Sequence, residues 1–129
     1  MKQITKRLEL GQDLREEIEK LVKENDVKAG VLLSVVGSLG SANLRMAGGK
    51  DKKNWDEDLE IVSGTGTVSM SDCHIHISVS DNNGNVFGGH LSNGCIVRTT
   101  AEVVILVFDD VEYVRKPDDT TGYDELEIV

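Results

Sequence analysis

The eight residues CHIHISVS, from Cys73 to Ser80, alternate strictly between apolar and polar side chains. Successive side chains of a β-strand point to opposite faces of the sheet, so this alternation predicts a strand with one buried face. The apolar face comprises Cys73, Ile75, Ile77 and Val79, and the polar face comprises His74, His76, Ser78 and Ser80. A strand that buries only one face is typical of antiparallel sheets.

One amphipathic helix is predicted ahead of this strand. Asp13 is a suitable N-cap residue, and Glu16 follows three residues later, as in a capping box. Four apolar residues then recur at helical spacing and would form one buried stripe. These are Leu14, Ile18, Leu21 and Val22.

The other apolar segments have the length and composition of strands. They cover residues 4–10, 30–37, 42–46, 59–62, 66–70, 101–108 and 111–115. The polar segment 48–58 is predicted to be a long exposed loop, and the chain after Arg115 a polar tail whose apolar end docks on the domain. We therefore expect an α+β fold, with a mostly antiparallel sheet of about seven or eight strands and one main N-terminal helix. Residues 1–129 would form a single domain.

Composition limits the functions that such a domain can have. The chain has 14 Lys and Arg residues against 23 Asp and Glu residues, for a formal net charge of −9. Nucleic-acid binders usually carry a basic surface, so this charge argues against direct contact with DNA. No apolar run reaches the length of a membrane span, and no signal peptide is recognisable. Two cysteines do not make a disulfide framework, and we expect a cytoplasmic protein with reduced thiols.

All three histidines of the chain lie between Cys73 and Leu91. His74 and His76 share the polar face of the predicted strand, and imidazoles at this spacing can converge on one metal ion. Together with His90 they would leave a coordination position open, which is typical of catalytic or ligand-binding zinc sites. Imidazole also suits copper, iron and nickel, so the pattern favours a divalent metal with zinc first. The alternative is three ordinary, half-exposed histidines.

The loop after this strand decides whether His90 joins the other two. Asn83-Gly84 is a strong hairpin signal. A two-residue loop would place His90 opposite Ile77, on the buried face. A three-residue loop over 82–84 would place it opposite His76, and a glycine bulge just before His90 is another way to re-aim it. A register shift of one residue moves every side chain of the strand to the other face of the sheet, so the metal-site hypothesis depends on the register.

Two charged residues are candidates for roles beside a metal ion. Arg45, at the end of a predicted strand, would hold an anionic ligand through its planar guanidinium, or else form a salt bridge at a surface or interface. Glu102 begins an apolar strand and would be a general base or a partner of a metal ligand, or else a structural hydrogen-bonding group. Gly37 and Gly40 lack the following helix of a phosphate-binding loop, so they are predicted to shape a turn.

Four segments together resemble the plants-and-prokaryotes conserved domain, the PPC domain. They are VVGSLGSANLR, HIHISVSDNNGNVFGGHL, TTAEVVIL and TTGYDEL, and the likeness extends over nearly the whole chain. It implies a homotrimer with sites near the subunit interfaces. It also implies a fold similar to that of acetolactate decarboxylases, which hold zinc with an H-x-H pair and a later histidine. By that likeness the zinc ligands here would be His74, His76 and His90.

Plant members of that family combine the domain with AT-hook motifs, and prokaryotic members are often assigned to DNA binding by homology. No Arg-Gly-Arg-Pro core of an AT-hook occurs in this sequence. Three functions are therefore open. The first is metal-dependent chemistry on a small anionic molecule that Arg45 orients. The second is a DNA-associated regulator whose partner supplies the DNA contacts, and the third is a metal- or ligand-sensing interaction module without catalysis.

Overall fold

Nine strands and one helix make up the chain, which a computed structural model describes from residue 1 to residue 129. The elements are β1 (Lys2–Glu9), α1 (Leu14–Glu24), β2 (Gly30–Arg45), β3 (Lys52–Trp55), β4 (Leu59–Val68), β5 (Cys73–Ser80), β6 (Val86–Leu91), β7 (Ile96–Val107), β8 (Tyr113–Pro117) and β9 (Asp124–Ile128). Seven strands form the main sheet, while β8 and β9 form a separate two-stranded sheet. The predicted α+β fold with one helix and an antiparallel sheet is confirmed.

The long strand β2 organises the main sheet. The sheet has the order β1-β7-β2-β4-β5-β6, with every pairing antiparallel. The first part of β2 pairs with β4 and β7, and its last residues pair with β3 and β6. Because β6 pairs with both β5 and the end of β2, the path β2-β4-β5-β6 closes on itself. This closure brings Arg45, the last residue of β2, next to the strands that carry the histidines.

Residues 30–45 form one bulged strand, whereas the sequence pattern predicts two strands. Three register shifts against β7 mark the bulges. Gly37 and Gly40 lie inside this strand, so the predicted turn at these glycines is wrong. A Cβ atom on Gly37 would lie 2.1 Å from the carbonyl oxygen of Thr100, so the glycine permits close approach of β7 and does not reverse the chain.

Three other predicted boundaries are corrected. Residues 59–68 form the single strand β4, with a bulge between Ile61 and Ser63 at the end of the first predicted piece. The predicted loop 48–58 contains β3, which pairs with the last four residues of β2. The predicted tail folds back as β9 on β8. The sequence of β3, KKNW, has no apolar alternation, so hydrophobic periodicity does not reveal it.

The core is a single cluster of 25 buried apolar residues. Helix α1 contributes its predicted stripe to this cluster, and all four stripe residues are buried. Asp13 caps the helix as predicted, because its carboxylate accepts a 3.1 Å hydrogen bond from the backbone N–H of Glu16. The helix has 11 residues and is neither long nor apolar enough to cross a membrane.

Candidate metal centre

His76 and His90 lie directly opposite each other across the β5–β6 hairpin. The ladder runs from this pair to Ser80 and Val86, and the backbone N–H of Asp81 continues the same register by donating to the carbonyl oxygen of Asn85 at 3.0 Å. Residues 82–84 therefore form the three-residue loop, and the two-residue alternative is wrong. The alternation predicted for β5 is confirmed, with its four apolar residues buried. His90 therefore shares the outer face of the sheet with His74 and His76.

The chemistry of the loop explains this register. Gly84 has a φ of +80°, a left-handed conformation that glycine adopts without steric cost, and its N–H donates to the carbonyl of Asp81 at 3.1 Å. The Asp81 carboxylate accepts hydrogen bonds of 2.9 Å from the backbone N–H groups of Asn83 and Asn85. Hydrogen bonds, first of all from the Asn85 side chain, lower the pKa of Asp81. The loop is thus closed by its own polar groups, which specify its length.

The three histidines converge on one point. One ring nitrogen from each residue lies within 4.8 Å of the others. The Nε2 atoms of His74 and His76 are 3.2 Å apart. Tetrahedral zinc with Zn–N bonds of 2.0–2.1 Å requires nitrogen pairs about 3.3 Å apart. The His74–His76 pair therefore has the spacing of two ligands of one ion, and a ring nitrogen of His90 lies within 4.8 Å of both. Three imidazole ligands would leave one position free for water or a ligand.

The surroundings keep the His74 and His90 imidazoles in the neutral form that binds metal. Burial and, next to it, the positive charge of Arg45 lower the pKa of His90 to about 4. Burial also lowers the pKa of His74, with further contributions from His76 and from the guanidinium groups of Arg115 and Arg45. At neutral pH no proton has to be displaced from His74 or His90 before a metal ion binds.

Helix α1 holds the open ends of the two histidine strands together. The β5–β6 ladder stops at His76 and His90, before the first residue of β5 and the last residue of β6. The Arg15 guanidinium donates at 2.8 Å to the carbonyl oxygens of both those residues, Cys73 and Leu91. Since Cys73 and Leu91 adjoin His74 and His90 in the chain, Arg15 fixes the separation of the strand ends that carry these histidines.

The structure brings Arg45 to the histidines. Arg45 pairs with His90 in the short β2–β6 ladder, and its Nη2 lies 3.4 Å from Nδ1 of His90. None of the ion pairs within the chain involves Arg45, so the predicted salt-bridge alternative does not form within the chain. Its charge remains available to a ligand beside the candidate metal position.

Glu102 lies away from the histidines of its own chain. It is exposed on β7, opposite Arg7 of β1 and Val36 of β2. Strands β2 and β4 stand between β7 and β5 in the sheet. With neighbouring strands about 4.8 Å apart, this order separates the backbone of Glu102 from that of the histidine strand by roughly 14 Å. The structure therefore does not assemble Glu102 and the histidines into one intrachain site.

Two residues that the sequence pattern does not single out line the cleft with the histidines. Arg115 on β8 and Tyr123 just before β9 border a cleft of about 410 Å³ that also contains Arg45. The Cζ atom of Arg45 is 5.8 Å from the centroid of the Tyr123 ring. The remaining lining residues are Asp72, His74, His90, Asp124 and Glu125. No motif marks Arg115 at the end of its predicted strand, and only the packing of the β8–β9 hairpin reveals its place in the cleft.

Comparison with known proteins identifies relatives of the chain. The family model of the Plants and Prokaryotes Conserved (PCC) domain matches residues 1–109. The bifunctional protein GlmU of Synechococcus sp. strain JA-2-3B'a(2-13) is 42% identical over 122 residues, which are 95% of this chain and 19% of that protein. The chain thus spans about a fifth of the length of the curated relatives it matches.

Solved structures show the same fold. A hypothetical protein of Salmonella enterica has 34% identity and a TM-score of 0.95, with 99% of this chain and 93% of that chain covered. A metal-containing protein of Archaeoglobus fulgidus has 32% identity and a TM-score of 0.83, with 98% and 94% covered. A Staphylococcus aureus protein similar to alpha-acetolactate decarboxylase shares the fold alone, with 15% identity, a TM-score of 0.53 and 84% and 52% covered.

Proposed function

Since this chain belongs to the Plants and Prokaryotes Conserved (PCC) domain family, we propose that it is a metal-binding domain in which His74, His76 and His90 hold one divalent ion, with zinc as the first choice. The convergence of three ring nitrogens within 4.8 Å carries this proposal. The Archaeoglobus fulgidus relative, which is metal-containing, supports it at 32% identity over nearly the whole chain.

The proposed function is metal-dependent binding of a small anionic ligand. A bound ion of this type offers an open position and would polarise a carbonyl group or activate water. Arg45 stands beside His90 and would orient the anion through its planar guanidinium. Turnover of a small oxoacid would make the domain an enzyme, whereas metal-dependent binding without turnover would make it a sensing module.

The metal content of purified, tag-free protein tests the proposal. We expect close to one ion per chain after incubation with zinc and dialysis, and its loss in the double variant His74→Ala, His76→Ala. The matched control is Ser78→Ala, Ser80→Ala, which changes the same face of the same strand and should retain the metal. Circular dichroism and sedimentation must show an unchanged fold and assembly. A parent protein that takes up no zinc would refute the three-histidine site.

We also propose that the domain assembles as a homotrimer with its sites near the subunit interfaces. Leu33, Val36 and Val62 are each more than half exposed on β2 and β4, and a single chain leaves this apolar surface in water. The surface continues towards the histidines, because Val31 of β2 lines a second cleft with His74 and His76.

Sedimentation velocity tests this assembly. We expect the parent to sediment as a trimer and Val36→Lys to shift it towards monomer, because a charge would be buried in the contact. Leu10→Lys, at an exposed apolar residue outside this sheet face, is the control and should leave the assembly unchanged. A monomeric parent would contradict the proposal.

Direct DNA binding is the weaker alternative. Two structural neighbours, at 22% and 19% identity, bear names that refer to DNA binding, and likeness at that level shows the fold alone. The net charge of −9 opposes contact with phosphates. DNA affinity that falls steeply with salt would favour this alternative over the ligand site.

The two free, buried cysteines suit the reducing cytoplasm, which is where we place the protein.

A further inference from the structure

The C-terminal hairpin forms one wall of the cleft beside the histidines. It consists of β8 and β9, which lie beyond residues 1–109 that the family model matches. The backbone N–H of Arg115 donates to Ser71 Oγ at 2.9 Å, and its Nη2 donates to Thr67 Oγ1 at 2.8 Å. Thr67 is the residue of β4 that pairs with His74, so the Arg115 side chain is anchored beside that histidine.

The hairpin also reaches the opposite side of the cleft. The Tyr123 hydroxyl packs on Gly49, where an added Cβ atom would lie 2.7 Å from it. The Tyr123 ring stands near the Arg45 guanidinium, 5.8 Å from Cζ to the ring centroid. Arg45 and Arg115 therefore flank the same cleft, one beside His90 and the other beside the partner of His74.

Both guanidinium groups lack a carboxylate partner within the chain. No carboxylate oxygen lies within 4.0 Å of either group, although this chain has 23 acidic residues. Other basic residues, such as Arg98 with Asp58 at 3.0 Å, do form ion pairs. Arg45 and Arg115 are also half-buried, so their positions are defined by packing. Two fixed, unneutralised guanidinium groups are suited to bidentate recognition of carboxylates.

We propose that this cleft binds a small dicarboxylate, with one carboxylate at the open position of the metal ion and the other between Arg45 and Arg115. This inference rests on the proposed metal site and adds the class of ligand and the role of Arg115. The cleft volume, about 410 Å³, lies within the range of small-molecule sites. Asp72, Asp124 and Glu125 line the same cleft and offset part of its positive charge, which disfavours ligands with more than two negative charges.

Cobalt-substituted protein provides the test, because a ligand that enters the open position changes the visible absorption of the ion. The probes are acetate, with one charge; sulfate, with two charges on one group; and succinate, with two separate carboxylates. We expect succinate to bind at least tenfold more tightly than acetate or sulfate. Arg115→Gln and Arg45→Gln should each weaken succinate binding about tenfold more than they weaken acetate binding.

Two further variants separate the proposed contact from its alternatives. Arg115→Lys keeps the positive charge but loses the planar guanidinium that can donate two hydrogen bonds to one carboxylate. We therefore expect its succinate affinity to lie between those of the parent and of Arg115→Gln. Lys116→Gln removes a neighbouring charge that is already paired with Glu127 at 3.2 Å, and should leave all three affinities unchanged. Equal binding of acetate and succinate by the parent, or unchanged succinate binding in Arg115→Gln, would overturn the proposal.

Failure of the proposed metal site can be distinguished from failure of the proposed dicarboxylate site. If the parent takes up no cobalt, the proposed metal function is wrong, and calorimetric titration of metal-free protein with succinate then tests the arginine pair alone. Succinate binding that Arg115→Gln weakens would sustain the anion site, and no binding would overturn it.

Discussion

Arg15 on helix α1 donates a 2.8 Å hydrogen bond to the carbonyl oxygen of Cys73, the first residue of the strand that carries His74 and His76. Its second guanidinium nitrogen bonds Leu91, so one side chain joins β5 and β6 beyond the end of their ladder. The Arg15 side chain is only 13% exposed, and water cannot readily replace it.

We predict that Arg15→Met lowers the free energy of unfolding by roughly 2–4 kcal/mol, because it leaves two carbonyl groups without charge-assisted partners. Urea denaturation at fixed protein concentration measures this change. Lys20→Met on the same helix is the control, since Lys20 and Glu24 are exposed and 4.0 Å apart, and its effect should stay within about 0.5 kcal/mol. Equal effects of the two variants would show that the Arg15 bridge does not stabilise the fold.

The metal-free protein should lose stability between pH 6.5 and about pH 4. His90 has an ordinary pKa of 6.5 when unfolded, and burial lowers the pKa to about 4 in the folded chain. Within that range the unfolded chain binds a proton that the folded chain does not, so the free energy of unfolding falls as the pH falls. The lowered pKa of His74 acts in the same direction.

Urea unfolding at successive pH values, with His90→Gln as the control, measures this dependence. The variant should show a shallower slope than the parent between pH 6.5 and 4. The Asp81 carboxyl, whose pKa is lowered from 3.8, titrates below this range and should affect both proteins alike. Identical slopes would mean that His90 protonates as readily in the folded protein as in the unfolded chain.

Gly37→Ala should destabilise the fold by about 2 kcal/mol or more. The new Cβ atom would lie 2.1 Å from the Thr100 carbonyl oxygen, so β2 and β7 would have to separate. Gly40→Ala on the same strand is the control, because its Cβ atom would meet only the Arg98 Cβ, at 3.9 Å. We expect a change within about 0.5 kcal/mol there, measured by thermal and urea unfolding.

Both cysteines should resist thiol reagents in the folded protein. Burial is the main cause that raises the pKa of Cys73 and of Cys95 to about 11, so little thiolate exists at pH 8. A colorimetric thiol assay should detect almost no reaction under native conditions and two thiols per chain in guanidinium chloride. Rapid reaction of the native protein would show that one of these buried positions opens to solvent.

Local patterns in the sequence were sufficient for the elements whose two faces differ in polarity. The alternation of CHIHISVS placed His74 and His76 on the outer face, and the stripe after Asp13 predicted helix α1, since each pattern records burial of a single face. Bulges break the alternation of apolar and polar residues within β2 and β4, so each of these strands was predicted as two pieces. The polar strand β3 has no such alternation.

The candidate site depended more on contacts between distant residues. The sequence allowed two hairpin registers, and the hydrogen bonds of the 82–84 loop selected the one that brings His90 to His76. Closure of β6 on β2 placed Arg45 at the histidines, while the order of the sheet kept Glu102 away from them.

Arg115 marks the limit of what periodicity can predict. It lies 41 positions after His74 in the chain, and its place in the cleft depends on how the β8–β9 hairpin docks on the main sheet. Periodicity records whether a side chain faces the core or the solvent, because burial of apolar area is the force that shapes the pattern. It does not show which solvent-facing groups lie next to each other. The sequence therefore predicted the face that carries the histidines, whereas closure of β6 on β2 and docking of the β8–β9 hairpin brought Arg45 and Arg115 to that face.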